Sequence, residues 1–447
     1  MKRTFSSLLP RGLAQLVSTR PLNVRNVVRG MRLGIWNRLY RAVPPRLRFL
    51  YGDSGNETVG RAVKRRADPS PYLGGVEHLT LVLTGHPFAF SGGGLRPAQL
   101  ALALLRRGHA VIFVNKRLWK EDLSPQGLAR MPLLWRENLD SPALARMPVF
   151  TYSLRTFDIN SFLRRYPALQ AKPITALVHI PIPEYRRIGE QIRFHGGRIA
   201  YDCMDLWKSP LLTGTWYSAD VERLFVKESD VLVATCEPLK DWLEELGGED
   251  VRIVPNGVDT TIFRYGVNHA RPLDLPRGTF TIVFVGTLTG GWVDWELLRK
   301  LTKAYEAANV VLIGDYDGRC PDPPQNLHFM GRRRLTDLPP YIAHSDVGII
   351  PYAGPLVRTV NSLKAYQYVA MGKPVVAPRS LALDGIPYVL FADNHDEFIS
   401  AVGEAHETRI DPHVVLAFAD DNSWDRRVSE LSKLLAAVRT TLPQRCG

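Results

Sequence analysis

Cysteine is scarce in this chain of 447 residues: Cys203, Cys236, Cys320 and Cys446 lie far apart, with no CxxC and no Cys/His pairing at metal spacing. That argues against a disulfide framework and against a zinc site, and it suits a reducing compartment. Long apolar runs are also missing. No window approaches the roughly 18 uninterrupted apolar residues of a membrane span, and the N-terminus lacks the apolar stretch of about 7–15 residues that marks secretory export. Acidic residues are depleted in one place only. Residues 1–70 hold 15 Lys and Arg against Asp53, Glu57 and Asp68, a net +12, while the other 42 basic and 41 acidic residues leave +1. The formal +13 therefore belongs to an arm. A near-neutral body does not suit a fold with a basic nucleic-acid-binding face, so no nucleic-acid partner is expected.

What is present is globular: 45% hydrophobic and 23% charged residues, in a chain too long for one core and natural for two domains. From Leu79 onward, short β-branched runs alternate with amphipathic stretches, the signature of βαβ units and parallel sheets. The strand-like runs are 79–85, 110–115, 174–180, 198–205, 231–236 and 251–257. Helical patterns fall between them at 97–107, 184–194 and 238–246. The Pro- and Gly-bearing stretch 269–279 (HARPLDLPRGT) reads as a linker. After it the alternation restarts, with strands at 279–286, 309–314, 346–352 and 373–378 and helices at 294–307, 335–343, 362–371 and 396–406. A last amphipathic helix, 424–438, carries Val428, Leu431, Leu434, Leu435 and Val438 on one face. The expected layout is a basic helical arm over 1–75, an α/β domain over 76–265, a second over 278–422, and a closing helix and tail over 423–447. Two doubly wound domains in tandem place a cleft between the carboxyl ends of their sheets, where such folds bind ligands.

Two stretches have the chemistry of ligand binding. The first strand runs into GHPFAFSGGGLRPAQ, where Gly92, Gly93 and Gly94 precede a helix and leave its amides open to an anionic or polar ligand. In RTVNSLKAYQYVAMGKPVVAP, residues 358–378, Asn361 and Ser362 stand at a helix start, Leu363 and Lys364 occupy its first turn, and Gly372 ends it. Free amides, a hydroxyl and an ammonium together suit a phosphate, and Gln367 is placed to reach a ribose or base. Asp315-Tyr316-Asp317 has the DxD spacing of a metal-diphosphate site, but it opens a Gly/Pro-rich loop and reads as surface.

Taken together, NSLKAYQYVAMGKPVV, VRIVPNGVDTTIF (251–263), FVGTLTGGWVDWELL (284–298), NLHFMGRRRLTDLPPYIAHSDVGIIPY (326–352) and NSWDRRVSEL (422–431) resemble, in order and spacing, the GT-B glycosyltransferases of the family 4 kind. The resemblance covers about residues 79–438. It implies two Rossmann-like parallel-sheet domains facing a cleft, with the donor nucleotide held mainly by the second. By position, Ser362, Leu363 and Lys364 would lie at the donor diphosphate, Gly286 and Thr287 on the facing loop, and Tyr352 near the base. Thr359 and Gln367 stand where family 4 enzymes carry a glutamate pair, and Thr287 where they carry arginine. The Ser-hydrophobic-Lys-x-x-Gln arrangement resembles instead the xanthan-pathway glucuronosyltransferases, which leaves the stereochemical course open.

A sugar transfer implied in this way needs the departing diphosphate stabilised, which Lys364 and helix amides can do with neither metal nor cofactor. An inverting displacement also needs a base. Asp205 is preferred over Asp202, with His179 third; both carboxylates could equally cap the turn that follows. The expected partners are a nucleotide-sugar donor, probed first as a UDP-sugar, and a glycan or lipid-linked acceptor. A noncatalytic module that binds sugar nucleotides or a membrane surface is the alternative. In the arm, Val24, Val28, Met31, Ile35, Leu39 and Ala42 form one apolar stripe rimmed by Arg25, Arg29, Arg32, Arg38 and Arg41. Such a helix suits a membrane interface, so a cytoplasmic enzyme held peripherally at the inner face of the cell membrane is expected.

Overall fold

The computed structural model describes residues 73–437 apart from 86–93, 117–148, 155–156, 210–211, 213–216, 279, 289–290, 319 and 321. The basic arm, Gly92, Gly93, Val438 and Cys446 lie outside the described residues. Residues 67–447 make up one compact unit.

The first sheet is built from β1 (His78–Thr84), β2 (His109–Asn115), β3 (Val149–Ser153), β4 (Ile174–Val178), β5 (Arg198–Cys203), β6 (Val231–Ala234) and β7 (Arg252–Ile253) in the order β3-β2-β1-β4-β5-β6-β7, all parallel. Its strands are apolar without alternation because helices cover both faces. Both β1 and β2 are buried at every position after the first. The connecting helices are α1 (Arg96–Arg106), α2 (Ile159–Arg165), α3 (Pro183–Phe194), α4 (Ala219–Glu228) and α5 (Glu237–Glu245).

The second sheet comprises β8 (Thr281–Val285), β9 (Asn309–Ile313), β10 (Leu327–Phe329), β11 (Val347–Ile349), β12 (Val375–Pro378) and β13 (Val389–Ala392), parallel in the order β10-β9-β8-β11-β12-β13. Its helices are α6 (Trp295–Ala304), α7 (Leu338–Ala343), α8 (Leu363–Ala370), α9 (His395–Glu407) and α10 (Pro412–Asp421). Asp294 caps α6 by accepting the Leu297 amide, and Gly372 ends α8 at φ +70°, a conformation that favours glycine.

The final helix, α11 (Trp424–Ala437), returns to the first domain. Trp424, Val428 and Leu431 are buried in one core cluster with Leu100 and Leu104 of α1 and with Val254, while Leu434 and Leu435 pack at its edge. That explains why α1 is buried from Arg96 through Leu105: it has the sheet on one side and α11 on the other. Burying three large apolar side chains there contributes on the order of 5–8 kcal/mol.

Both domains, and all ten strands read from apolar runs, are present. The sequence reading did not contain β3, β10, β13, α2, α4 or α10. β10 has three residues and β13 is half-exposed until Ala392, so neither carries the apolar run that marks an interior strand. Among the described residues no helix is long and apolar enough to cross a membrane.

Candidate functional site

Each sheet reverses its strand order once, at β1/β4 in the first and β8/β11 in the second, and the crevices at the carboxyl ends of those strands are where ligands of doubly wound folds sit. In the second domain, β8 and β9 pair with Val285 opposite Ile313. The next residues, Gly286 and Gly314, are pressed together, since a Cβ on Gly314 would lie 1.7 Å from the Gly286 carbonyl oxygen. Only glycine fits. The loop after β8 is thereby held down beside the start of α8, and a Cβ added to Gly286 would come within 3.2 Å of Lys364 Cε.

At the start of α8, Ser362 is the N-cap residue but its side chain makes no capping bond. Its hydroxyl is 3% exposed and has no hydrogen-bond partner in the protein. A buried hydroxyl without a partner costs roughly 1–3 kcal/mol, and here it stands at the N-terminus of α8 beside Lys364, a donor set suited to an anion. Tyr352 bounds the same corner, with its ring 5.9 Å from Lys364 Nζ and edge-on to Phe284 at 5.9 Å. It also lines a cavity of about 660 Å³ with Gly354, Val357, Arg358, Asp393 and His395. Thr287 is exposed on the facing loop and Gln367 is buried in α8.

Two residues of the expected donor segment, Leu363 and Asn361, have their side chains engaged elsewhere. Leu363 packs at the edge of the α1–α11 core, leaving only its amide for a phosphate. The Asn361 side chain is consumed inside the protein: its Oδ1 accepts the Asn256 amide at 2.8 Å, and its Nδ2 donates to Tyr366 Oη at 3.1 Å and to the Ala382 carbonyl. Asp315 of the DxD string is exposed, 3.4 Å from Arg332.

Across the cleft, the three candidate bases separate. Asp202, in β5, has no exposed surface, and both its oxygens are held by Arg96, at 2.9 Å from Nε and 3.0 Å from Nη2. A carboxylate enclosed in this way has no path to an acceptor hydroxyl, which corrects its reading as a base. His179, just beyond β4, is equally enclosed and 3.3 Å from Asp202. Burial pushes its imidazole down to about 4, so it is neutral at physiological pH and sealed from the cleft. Gly94 is buried at the entry to α1.

Asp205, two residues past β5, is half-buried. Desolvation by the surrounding protein pushes its carboxyl up to about 7, against the opposing pull of the Lys364 ammonium. The carboxylate of one domain and the ammonium of the other thus share a field across the cleft. The loop that carries Asp205 is anchored by Glu222, a fully buried carboxylate of α4 that accepts from Tyr201 Oη at 2.6 Å, Tyr217 Oη at 2.7 Å and Trp242 Nε1 at 3.2 Å. Lys208 of the same loop lies over the Trp242 ring, 3.6 Å from its centroid. Neither Glu222 nor Arg96 stood out in the sequence, because a charged residue announces burial only through partners distant in the chain.

Comparison with known proteins finds two glycosyltransferase family models, each matching one part of the chain. Residues 90–262 match the family described as Glycosyltransferase Family 4, and residues 279–408 match Glycosyl transferases group 1. A Bacillus subtilis strain 168 protein named as a teichuronic acid biosynthesis glycosyltransferase, TuaH, is 24% identical over 237 residues, covering 46% of this chain and 57% of its own length. The chain thus spans just over half of that relative. Among solved structures, Anabaena HepE in complex with UDP is similar with a TM-score of 0.57 at 12% identity over 80% of this chain and 100% of that one. A Rickettsia africae glycosyltransferase gives 0.57 at 12% identity over 81% and 98%. Both likenesses establish the fold.

Proposed function

We propose that this chain, which carries the two domains of a GT-B glycosyltransferase, moves a sugar from a nucleotide diphosphate to a hydroxyl of a cell-envelope glycan or lipid-linked acceptor. The observation that carries the reading is the convergence at one cleft of an unpartnered buried hydroxyl, Ser362, and the ammonium of Lys364, with Asp205 in that ammonium's field from the other domain. UDP is the expected carrier. HepE was solved with UDP, and Ser362, Leu363, Lys364 and Gln367 have the Ser-hydrophobic-Lys-x-x-Gln arrangement that resembles the xanthan-pathway glucuronosyltransferases.

In this mechanism the diphosphate lies on the α8 amides, Ser362 Oγ and Lys364 Nζ, with Gly286 and Thr287 closing over it and Tyr352 toward the base. Asp205 takes the proton of the acceptor hydroxyl as that oxygen bonds to the anomeric carbon. The bond from that carbon to the diphosphate oxygen breaks, and the electron pair leaves with the diphosphate, where Lys364 and the amides meet the new charge. No metal ion is required in this scheme. A hexosyl or glucuronosyl group is the expected cargo, and the +12 arm holds the enzyme at an anionic membrane face, each nearby base contributing about 1 kcal/mol.

The test is release of UDP from a panel of UDP-sugars mixed with membrane lipid extract. Lys364→Ala removes a charge-assisted contact of about 1.5–3 kcal/mol, so turnover should fall roughly 10- to 100-fold. Undiminished release from that variant would refute the donor site. Nucleotide binding without any release would favour a noncatalytic sugar-nucleotide module, a reading to which Thr359 and Gln367, in place of a glutamate pair, give specific support.

A further inference from the structure

Asn256 is 7% and Asn361 6% exposed, and two hydrogen bonds, both donated by Asn256, join them. The Asn256 amide donates to Asn361 Oδ1 at 2.8 Å, and Asn256 Nδ2 donates to the Asn361 carbonyl at 2.5 Å. Asn256 lies on the passage from the first domain to the second, and Asn361 immediately precedes the cap of α8. Asn256 is itself fixed from two sides. Arg96 Nη1 donates to the Pro255 carbonyl at 2.9 Å and reaches Asn256 Oδ1 at 3.4 Å, with Arg96 locked by Asp202. From α11, Arg427 Nε donates to the Asn256 carbonyl at 3.1 Å. A second tie lies two residues upstream of Asn361, where the Cys236 thiol donates to the Thr359 carbonyl at 3.4 Å.

We propose that Asn256 and Asn361 form a positioning joint that fixes the turn before α8 against the first domain, so that Asn361 sets where Ser362 and Lys364 stand without touching the donor. Both amide hydrogens of Asn361 are already given to Tyr366 Oη and the Ala382 carbonyl. The buried Arg96–Asp202 pair, which the transfer chemistry does not use, is the anchor of this joint in the first domain. A double buried hydrogen bond resists opening because each partner left behind is desolvated and unpaired. The inference deepens the donor-site reading and rests on it for the nucleotide arm of the test alone.

The test uses the full chain with Asn256→Ala, Asn361→Ala and the double variant. Cys236 is 4% exposed beneath the joint, so its alkylation by iodoacetamide, followed by mass spectrometry of its peptide without nucleotide, reports opening. Each single change should accelerate labelling about tenfold, since Asn256→Ala removes the bond to the Asn361 carbonyl and Asn361→Ala the acceptor of the Asn256 amide, and the double variant, which removes both, should label faster than either single. UDP affinity by calorimetry should fall about tenfold in each single variant and further in the double. Wild-type labelling in both singles, or wild-type labelling in the double, overturns the joint. Loss of UDP affinity in Asn361→Ala while Asn256→Ala keeps both affinity and labelling at wild type makes Asn361 a direct ligand and overturns it equally. A wild-type chain that binds no UDP defeats the donor reading, and the labelling arm still decides the joint. If the alanine variants do not fold, Asn256→Asp, which removes the donor to the Asn361 carbonyl, should accelerate labelling in the same direction; no acceleration overturns the joint.

Discussion

Asp205 is the residue on which pH should act. Its carboxyl, raised from the ordinary 3.8 to about 7 chiefly by desolvation, must be ionised to accept a proton, so kcat/KM should rise with pH through a limb near 7. Lys364 holds that value down. A bound diphosphate takes up the ammonium's field, so the corresponding limb in kcat should lie at higher pH, and Lys364→Ala should raise the limb in kcat/KM as well. Rate profiles from pH 5 to 9 check this; a wild-type limb near 4 would remove Asp205 from the role. The stability effect has a definite sign. Because the folded chain binds this proton more tightly than the unfolded one, the contribution is complete below about 3.8 and is lost as pH rises through about 7. Thermal unfolding of the wild type should therefore weaken between pH 5 and 8 relative to Asp205→Asn.

At the scale of elements, the proposed donor corner depends on two strand ends that can approach because glycine stands where they meet. Gly314→Ala would place a methyl 1.7 Å from the Gly286 carbonyl, and backbone on both sides must move. Overpacking of this kind costs about 1–3 kcal/mol, and the displacement falls on the loop over Lys364. The expected outcome is nucleotide affinity reduced at least tenfold, with a melting temperature lowered by a few degrees, read by calorimetry and thermal unfolding. A variant that melts lower but binds nucleotide as the wild type does would show that the loop takes no part in the site. Sequence reasoning put Gly286 on this loop through resemblance, but Gly314 had no signal of its own. Its need for zero side chain comes from the register of β8 and β9, which no local pattern displays.

At the scale of the whole molecule, the two domains are joined by the passage through Asn256 and by the return through α11, which seals α1 beneath Trp424, Val428 and Leu431. Charge is divided differently from mass: the folded body is close to neutral and the basic excess lies in residues 1–70. If that arm carries the enzyme to an anionic lipid surface, deleting residues 1–70 should shift the protein from membrane pellets to the supernatant, with soluble UDP binding unchanged. Unaltered sedimentation with vesicles of anionic phospholipid would sink that role.

The two-domain plan, the parallel sheets and the placement of Ser362 and Lys364 at a helix start were determined by the sequence, because apolar runs, caps and glycine stops act over a few residues and leave their mark locally. Which charged residues are sealed inside and which face the cleft was decided by the tertiary structure. Asp202 and Asp205 are three residues apart in one stretch, YDCMD, and similar as text. Folding encloses the first between Arg96 and His179 and leaves the second at the cleft opposite Lys364. Asn361, legible only as a helix-start asparagine, becomes half of a joint with Asn256, 105 residues away. Burial and charge are properties of what surrounds an atom, and those surroundings are assembled from parts of the chain that the local sequence does not contain.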